Sequence, residues 1–477
     1  MANIDDTNPT QERSIVKVAL TAMVASSIEW YDFFIYGTAA ALVFPRVFFS
    51  EDLSPFMAQM ASFGTFGFGF VARPLGGMVF GHFGDRVGRK VALVTALLMM
   101  GVTTMLIGLL PSYATAGAAA PAMLIMLRGV QGLALGGQWA GAVLLATENA
   151  PPKKRGFYGS FAQIGVPIGL ILGNLVFLIV NANVSAEAFM SWGWRIPFLL
   201  SIVLIGVATY VQFKLEETPV FRELQEAKLR RETELIANSA RQRGVSIEQV
   251  QTELAAERRP SPVVEALKTY PKEIALAAGA LLAIQVSWYI HTVFLVSYAT
   301  DPAGLNIPRG MMLTAVLISA VVMIPAIFMA GSYSDRHGRR GIFITGAAMV
   351  GVWGFFLFPL IDTGSFPVIV FAITIGQLFF ATMYGPQAAF LAEMFTTRVR
   401  YSGASIGYQM GAILGGALAP IIATALVAQF QTGFAVSVYM AVICTITIIS
   451  AFMLRETHHV DMGATAPSSQ PATDGRT

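Results

Sequence analysis

The sequence predicts an all-α integral membrane protein with twelve transmembrane helices in two pseudo-symmetric six-helix bundles. Three observations predict it. Of the 477 residues, 55% are hydrophobic and 12% charged, with mean hydropathy +0.63. A soluble domain carries about 25% charged residues, so this chain has too few to cover a water-facing surface. Apolar runs near the roughly 20 residues needed to cross a bilayer recur along the chain. Finally, a ten-residue stretch occurs twice, GHFGDRVGRK at 81–90 and GSYSDRHGRR at 331–340, 331 − 81 = 250 residues apart. Each copy is a short basic island between long apolar runs, the mark of duplicated halves with a charged turn on the same side of the membrane.

In chain order, the first six spans are expected at 16–46, 56–81, 90–111, 121–147, 157–181 and 193–214. The second six are expected at 273–300, 310–333, 341–361, 366–392, 402–428 and 432–454. All read as helices, because backbone exposed to lipid must satisfy its own hydrogen bonds. The N-terminus lacks the basic region and cleavage site of a signal peptide, so the first span is retained. This gives a tail at 1–15, bundles at 16–214 and 273–455, a polar linker at 215–272 and a disordered tail at 456–477. The linker reads as two amphipathic helices, with Ser246 and Gln249 spaced as a capping box. Loops 82–90, 152–155, 336–340 and 398–400 are basic, and those near 111–120, 181–191, 361–366 and 428–433 contain no Lys or Arg. The positive-inside rule therefore places both termini in the cytoplasm of a multi-pass protein of the inner (plasma) membrane.

Further landmarks repeat in order. Glu148 and Arg155 are seven apart, as are Glu393 and Arg400, and Glu217-Thr218 and Glu456-Thr457 close the sixth and twelfth spans. The order resembles the major facilitator superfamily, whose loop motif matches both copies of the ten-residue stretch. EWYDF at 29–33, RPLGG at 73–77, RGVQGLALGGQWAG at 128–141 and SWGWRIPFLLS at 191–201 resemble the metabolite:proton symporter family, nearest the branch carrying shikimate and related organic acids. Members of that family often have Glu where this chain has Gln138, which puts a proton-carrying role there in doubt.

Charged side chains inside a span cost about 2.5–3.5 kcal/mol each on insertion scales, so those present mark function. Glu29 and Asp32, three apart, are expected on one helix face continued by Tyr36. The neutral form of such a carboxyl is favoured in low dielectric, and Asp32 is the preferred carrier of the coupling proton, with a structural ion pair as the alternative. Arg128 opens a stripe with Gln131, Leu135 and Gln138; its fork suits the carboxylate of a solute or of Asp32. The resemblance implies a link to proton transfer for an arginine at this place. A stripe of Ser160, Gln163, Pro167 and Asn174 is expected to face a cavity, lined from the other half by Gln285, Trp288, Thr292, Gln377, Tyr384 and Gln387. For each of these, helix–helix hydrogen bonding is the competing reading. His291 reads either as a titrating group or as a packed one. Arg73 reads as a partner of an acid in the first span or as part of the cytoplasmic gate, and Arg195 as an interfacial anchor. Asp85, Arg86, Arg89, Asp335, Arg336 and Arg339, with Glu148–Arg155 and Glu393–Arg400, read as a gate that latches one conformation.

Net charge of +3 gives no support for nucleic-acid binding. Cys444 is the single cysteine, and no metal-ligand spacing, P-loop or G-x-S-x-G is present. An enzyme is therefore not expected, nor any cofactor beyond the coupling proton. The expected function is proton-coupled uptake of a small organic acid by alternating access, in a monomer. The alternatives are an osmolyte (zwitterion) symporter, disfavoured by the short tail after the last span, an efflux antiporter, disfavoured by GVPIGLILG at 165–173, and a non-transporting sensor.

Overall fold

The computed structural model describes residues 9–203, 205–206, 210, 219–243, 246–249, 261–301, 304–458, 460 and 462. Every regular element among them is helical. The spanning helices of the first half are α1 (Pro9–Leu42), α2 (Pro55–Arg86), α3 (Arg89–Leu109), α4 (Ala119–Glu148), α5 (Pro152–Asn183) and the described start of α6 (Arg195–Leu199). Those of the second are α7 (Pro271–Thr300), α8 (Arg309–His337), α9 (Arg339–Ile361), α10 (Phe366–Glu393), α11 (Arg400–Phe430) and α12 (Phe434–Met453). Ten are long and apolar enough to cross a membrane. Of the other two, α2 has the length, 32 residues, but is diluted by glycine and Arg73, and most of the predicted sixth span after residue 203 lies outside the described residues.

The packing repeats with the sequence. In the first half α2 packs on α4, α1 on α5 and α3 on α6; six helices later α8 packs on α10, α7 on α11 and α9 on α12. The α2–α4 crossing is close because both sides are bare: a Cβ on Gly76 would strike the Leu133 backbone, and one on Gly136 the Arg73 carbonyl. Small residues are the usual means of bringing membrane helices this near. Between α2 and α3, and between α8 and α9, the turn is made by Gly88 (φ 131°) and Gly338 (φ 93°), backbone conformations that side chains resist. Two spans are interrupted by π-helical turns, Ile290–Phe294 in α7 and Ala412–Ala417 in α11. Such turns collect at functional sites.

Three expectations change. Residues 9–15, assigned to the tail, belong to α1, which begins on a proline, a residue well suited to a first turn. The linker has one long helix among its described residues, Pro219–Arg243, of 25 residues. Its predicted second helix falls largely in 250–260, outside the described residues, but the capping box is made: Ser246 N donates to Gln249 Oε1 at 3.3 Å and Gln249 N to Ser246 Oγ at 3.2 Å. A short helix, Pro262–Thr269, then leads into α7. Third, the end of the chain is not disordered throughout: Glu456, Thr457, Val460 and Met462 are hydrogen-bonded to the bundles. Residues 1–8 and 463–477 of the predicted tails, and Glu217-Thr218, lie outside the described residues.

Candidate functional site

At the basic end the two halves are joined by a crossed set of buried charges. Glu148 pairs with Arg400 of the other half at 3.0 Å and with Arg89 at 3.6 Å. Glu393 pairs with Arg339 at 3.3 Å and with Arg155 of the other half at 3.9 Å. The expected Glu148–Arg155 and Glu393–Arg400 latches are therefore corrected: each glutamate takes the other half's arginine. Seven residues place the two members of each pair at opposite sides of a chain reversal, while the pseudo-twofold brings the two reversals face to face. The motif aspartates follow the same rule. Asp85 bonds Arg89 at 2.9 Å and accepts from Tyr401 N at 3.1 Å, Ser402 N at 2.9 Å and Ser402 Oγ at 2.7 Å. Asp335 bonds Arg339 at 2.7 Å and accepts from Gly156 N at 2.7 Å and Phe157 N at 2.9 Å. Each carboxylate thus caps the free amides opening a helix of the opposite half, where the macrodipole favours negative charge. Arg86 and Arg336 stay out of this cluster; both are exposed.

A strap after α12 closes over the same place. The Glu456 carboxylate caps α9, accepting from Arg339 N at 2.8 Å and Arg340 N at 3.0 Å. Burial pushes its carboxyl up, but the amides of Arg339, Arg340, Thr457 and His458 outweigh burial and hold it below the usual glutamate value. Thr457 Oγ1 donates to Glu393 at 2.8 Å. The Val460 carbonyl accepts from Arg155 and the Met462 carbonyl from Arg400 and Thr397, at 2.7, 2.9 and 2.7 Å.

Deeper in the first half lies a hydrogen-bonded chain. Arg128 donates to Gln131 Oε1 at 3.1 Å, Gln131 to Thr104 Oγ1 at 2.6 Å, and Thr104 to Asp32 Oδ2 at 2.8 Å; Ser201 Oγ lies 3.2 Å from Asp32 Oδ1. Arg128, Gln131, Thr104 and Asp32 are fully buried. Arg128 and Asp32 are thus joined through two side chains, not as a direct pair. The guanidinium lies 4.1 Å from the centroid of Tyr36, whose hydroxyl donates to Thr65. Glu29 and Asp32 do not share surroundings as expected. Three residues turn the helix by 300°, and the remaining 60° sends Asp32 toward α3 and α6 while Glu29 acts electrostatically on Tyr384 and Tyr408 of the other half.

Between the halves is a cavity lined by Trp30 and Val166 on one side and by Ile284, Gln285, Trp288, Phe380, Tyr384 and Tyr408 on the other. Trp139 stacks on Tyr408, with ring centroids 4.1 Å apart. Gln163 does not line it: it binds Trp139 Nε1, the Tyr384 carbonyl and Gln387 Oε1, locking α5 to α10. Gln138 reaches the Ala25 carbonyl, and Asn174 is turned back on its own helix at Leu170. His291 is buried in the α7 π-turn with Nδ1 at 2.7 Å from the Ser287 carbonyl. Arg195 is half-buried, donating to the Gly108 and Leu110 carbonyls. The sequence reading missed Thr104, Ser201, Trp30, Trp139, Tyr289, Tyr401 and Tyr408. Thr104 and Ser201 carry no charge to mark them, and the aromatics were hidden among 34 Phe, 13 Tyr and 6 Trp.

The profile of the sugar (and other) transporter family matches residues 18–465. The inner membrane metabolite transport protein YhjE of Escherichia coli (strain K12) is 40% identical over 450 residues, 93% of this chain and 94% of that protein. The shikimate transporter of the same organism is 37% identical over 442 residues, 92% and 94% of the two chains. Among solved structures, the MFS (major facilitator superfamily) proton:xylose symporter XylE bound to 6-bromo-6-deoxy-D-glucose superposes with TM-score 0.73 at 18% identity, over 95% of this chain and 98% of that one, a likeness of fold. The chain belongs to the sugar (and other) transporter family of the major facilitator superfamily, and it is a membrane transporter and not an enzyme.

Proposed function

We propose that the chain is a secondary active transporter that takes up a small organic acid together with protons by alternating access. The observation that carries this reading is the buried chain from Arg128 through Gln131 and Thr104 to Asp32. A carboxylate held in low dielectric beside hydroxyl donors, and linked to a fixed cation, is suited to take a proton in one state and release it in the other. The crossed latch supports the alternating part: the structure is a state closed at its basic end, which the positive-inside rule assigns to the cytoplasm along with both termini. The relevant partners are a carboxylate solute, the proton and the bilayer of the inner membrane, with no cofactor and a monomeric chain as the working unit. The 37% identity to a shikimate transporter supports an organic acid.

The test is a proteoliposome screen of organic acids under an imposed pH gradient. Asp32→Asn is expected to abolish gradient-driven uptake while sparing exchange of preloaded solute. Driven uptake unchanged in that variant removes the coupling role from Asp32. A second reading, symport of a zwitterion, draws on the aromatic lining beside Glu29, an arrangement that suits a quaternary ammonium, and on 30% identity to a putative proline/betaine transporter of Staphylococcus aureus. Glycine betaine in the same screen separates the two.

A further inference from the structure

We infer that Arg73, and not Arg128, is the solute's carboxylate anchor, and that the solute is a compact carboxylate whose carbon body carries acceptor oxygens. This rests on the transport reading above and deepens it. Of the buried arginines of the first half, the two that lie away from the basic end differ in what surrounds them. Arg128 has its main partners in its own half, stacked on Tyr36 and bonded to Gln131, although its Nε also lacks a partner and Tyr289 of the other half acts on it electrostatically. Arg73 is turned toward the other half. Its guanidinium lies 5.1 and 4.5 Å from the ring centroids of Phe33 and Phe70, an apolar clamp that fixes its plane. The group of the other half that it acts on most directly is the hydroxyl of Tyr289 on α7, and it also acts electrostatically on Glu29 and Tyr408. Its Nε has no partner, nor has Glu29 Oε2.

A phenol hydroxyl is a poor match for a guanidinium fork, which binds a carboxylate through two parallel, charge-assisted bonds. That phenol belongs to the half that must move. When the halves rock apart Tyr289 withdraws, and Arg73 presents a clamped, desolvated fork beside the central cavity, where a carboxylate takes the place of the hydroxyl. Independent observations define the rest of the solute. The central cavity, which Arg73 approaches through Phe33 where that ring packs on Trp30 at 5.3 Å, has an aromatic wall that includes Trp30 and Trp288, with ring centroids 6.4 Å apart. Both tryptophans are more than nine-tenths buried, and the Nε1 of each lacks a partner. Two buried indole donors at an apolar wall call for a carbon body bearing hydroxyl or carbonyl oxygens, since an unmatched buried donor otherwise carries its full desolvation penalty.

The test uses the full chain in lipid nanodiscs with tryptophan fluorescence as the readout and three probes: shikimate, its neutral methyl ester and cyclohexanecarboxylate. For the wild type, shikimate is expected to bind most tightly, with the ester and the unhydroxylated acid each weaker by about tenfold or more, the worth of a charge-assisted or buried hydrogen bond. Arg73→Gln is expected to weaken shikimate to the level of the ester while leaving the ester unchanged, and Arg73→Lys to fall between. The inference is overturned by any of four results. These are no response of the wild type to any probe, ester binding equal to acid binding, unchanged shikimate affinity in Arg73→Gln, or equal loss of acid and ester in that variant, which would make the arginine structural. Failure of the transport reading is separable: it appears as absence of gradient-driven uptake of every acid by the wild type, whereas driven uptake that survives Arg73→Gln sinks only the arginine assignment.

Discussion

Asp32 and Glu29 show how much of the site a residue-level reading reaches. Buried charge is costly, so the sequence alone singles out Glu29, Asp32, Arg73 and Arg128, and all four are buried. Their partners are a different matter. Thr104 and Ser201 are ordinary hydroxyls in apolar helices and become proton-network members only because α3 and α6 pack where Asp32 points. Helical spacing also overstates companionship, since a 60° divergence separates Asp32 from Glu29 once each has a crowded neighbour. The network makes a specific prediction. Thr104→Val removes both the donor to Asp32 and the acceptor for Gln131, leaving two buried polar groups unmatched at about 1–3 kcal/mol each. Lower thermal stability in detergent and slower gradient-driven uptake are expected together. A variant with unaltered uptake would show that the chain does not serve coupling.

At the scale of elements, the charged turns and helix starts form one device. The sequence reading found the aspartates and the arginines but joined them within each half, because spacing along a chain carries no information on which half folds against which. The amides that meet Asp85 and Asp335 follow directly after Arg400 and Arg155, so each arginine landmark also marks a helix start aimed at the opposite aspartate. Asp85→Asn removes the negative charge from one such cap. With spin labels at exposed Arg86→Cys and Arg336→Cys, the distance distribution is expected to gain a longer population; an unchanged distribution would deny the cap a role in closure. The strap adds a pH dependence. Glu456 is held below its usual value in the folded chain, so its contribution to holding the strap on α9 is full above about pH 4.5 and is lost as pH falls through the lowered value. Glu456→Gln should flatten that acid limb of the melting curve. A limb of the same size in the variant would assign the acid sensitivity to another group.

For the whole molecule, the duplication was legible from the ten-residue stretch and two further landmarks, each present in both halves, and it fixes the packing as well as the count, because helix pairs recur six helices later. What the repeat does not contain is the interface between its copies, and that interface decides both the latch and the central cavity. Crossed pairing has a measurable consequence. If Glu148 belongs with Arg400, the two are energetically coupled across the halves more strongly than Glu148 and Arg155, seven residues apart in one half. Double-mutant cycles separate these cases. Glu148→Gln with Arg400→Gln should show a coupling within about 0.5–3 kcal/mol, the range for contacting residues in one network, while Glu148→Gln with Arg155→Gln should show a distinctly smaller one, because Arg155 acts on the partner of Glu148, Arg400. The mirror cycle, Glu393 with Arg155 against Glu393 with Arg400, should repeat the pattern with a smaller coupling, because its ion pair is 3.9 Å long where the other is 3.0 Å. Thermal unfolding in nanodiscs supplies the free energies. Coupling within each half and none across would return the latch to two separate turns and leave the closed state held by backbone caps alone.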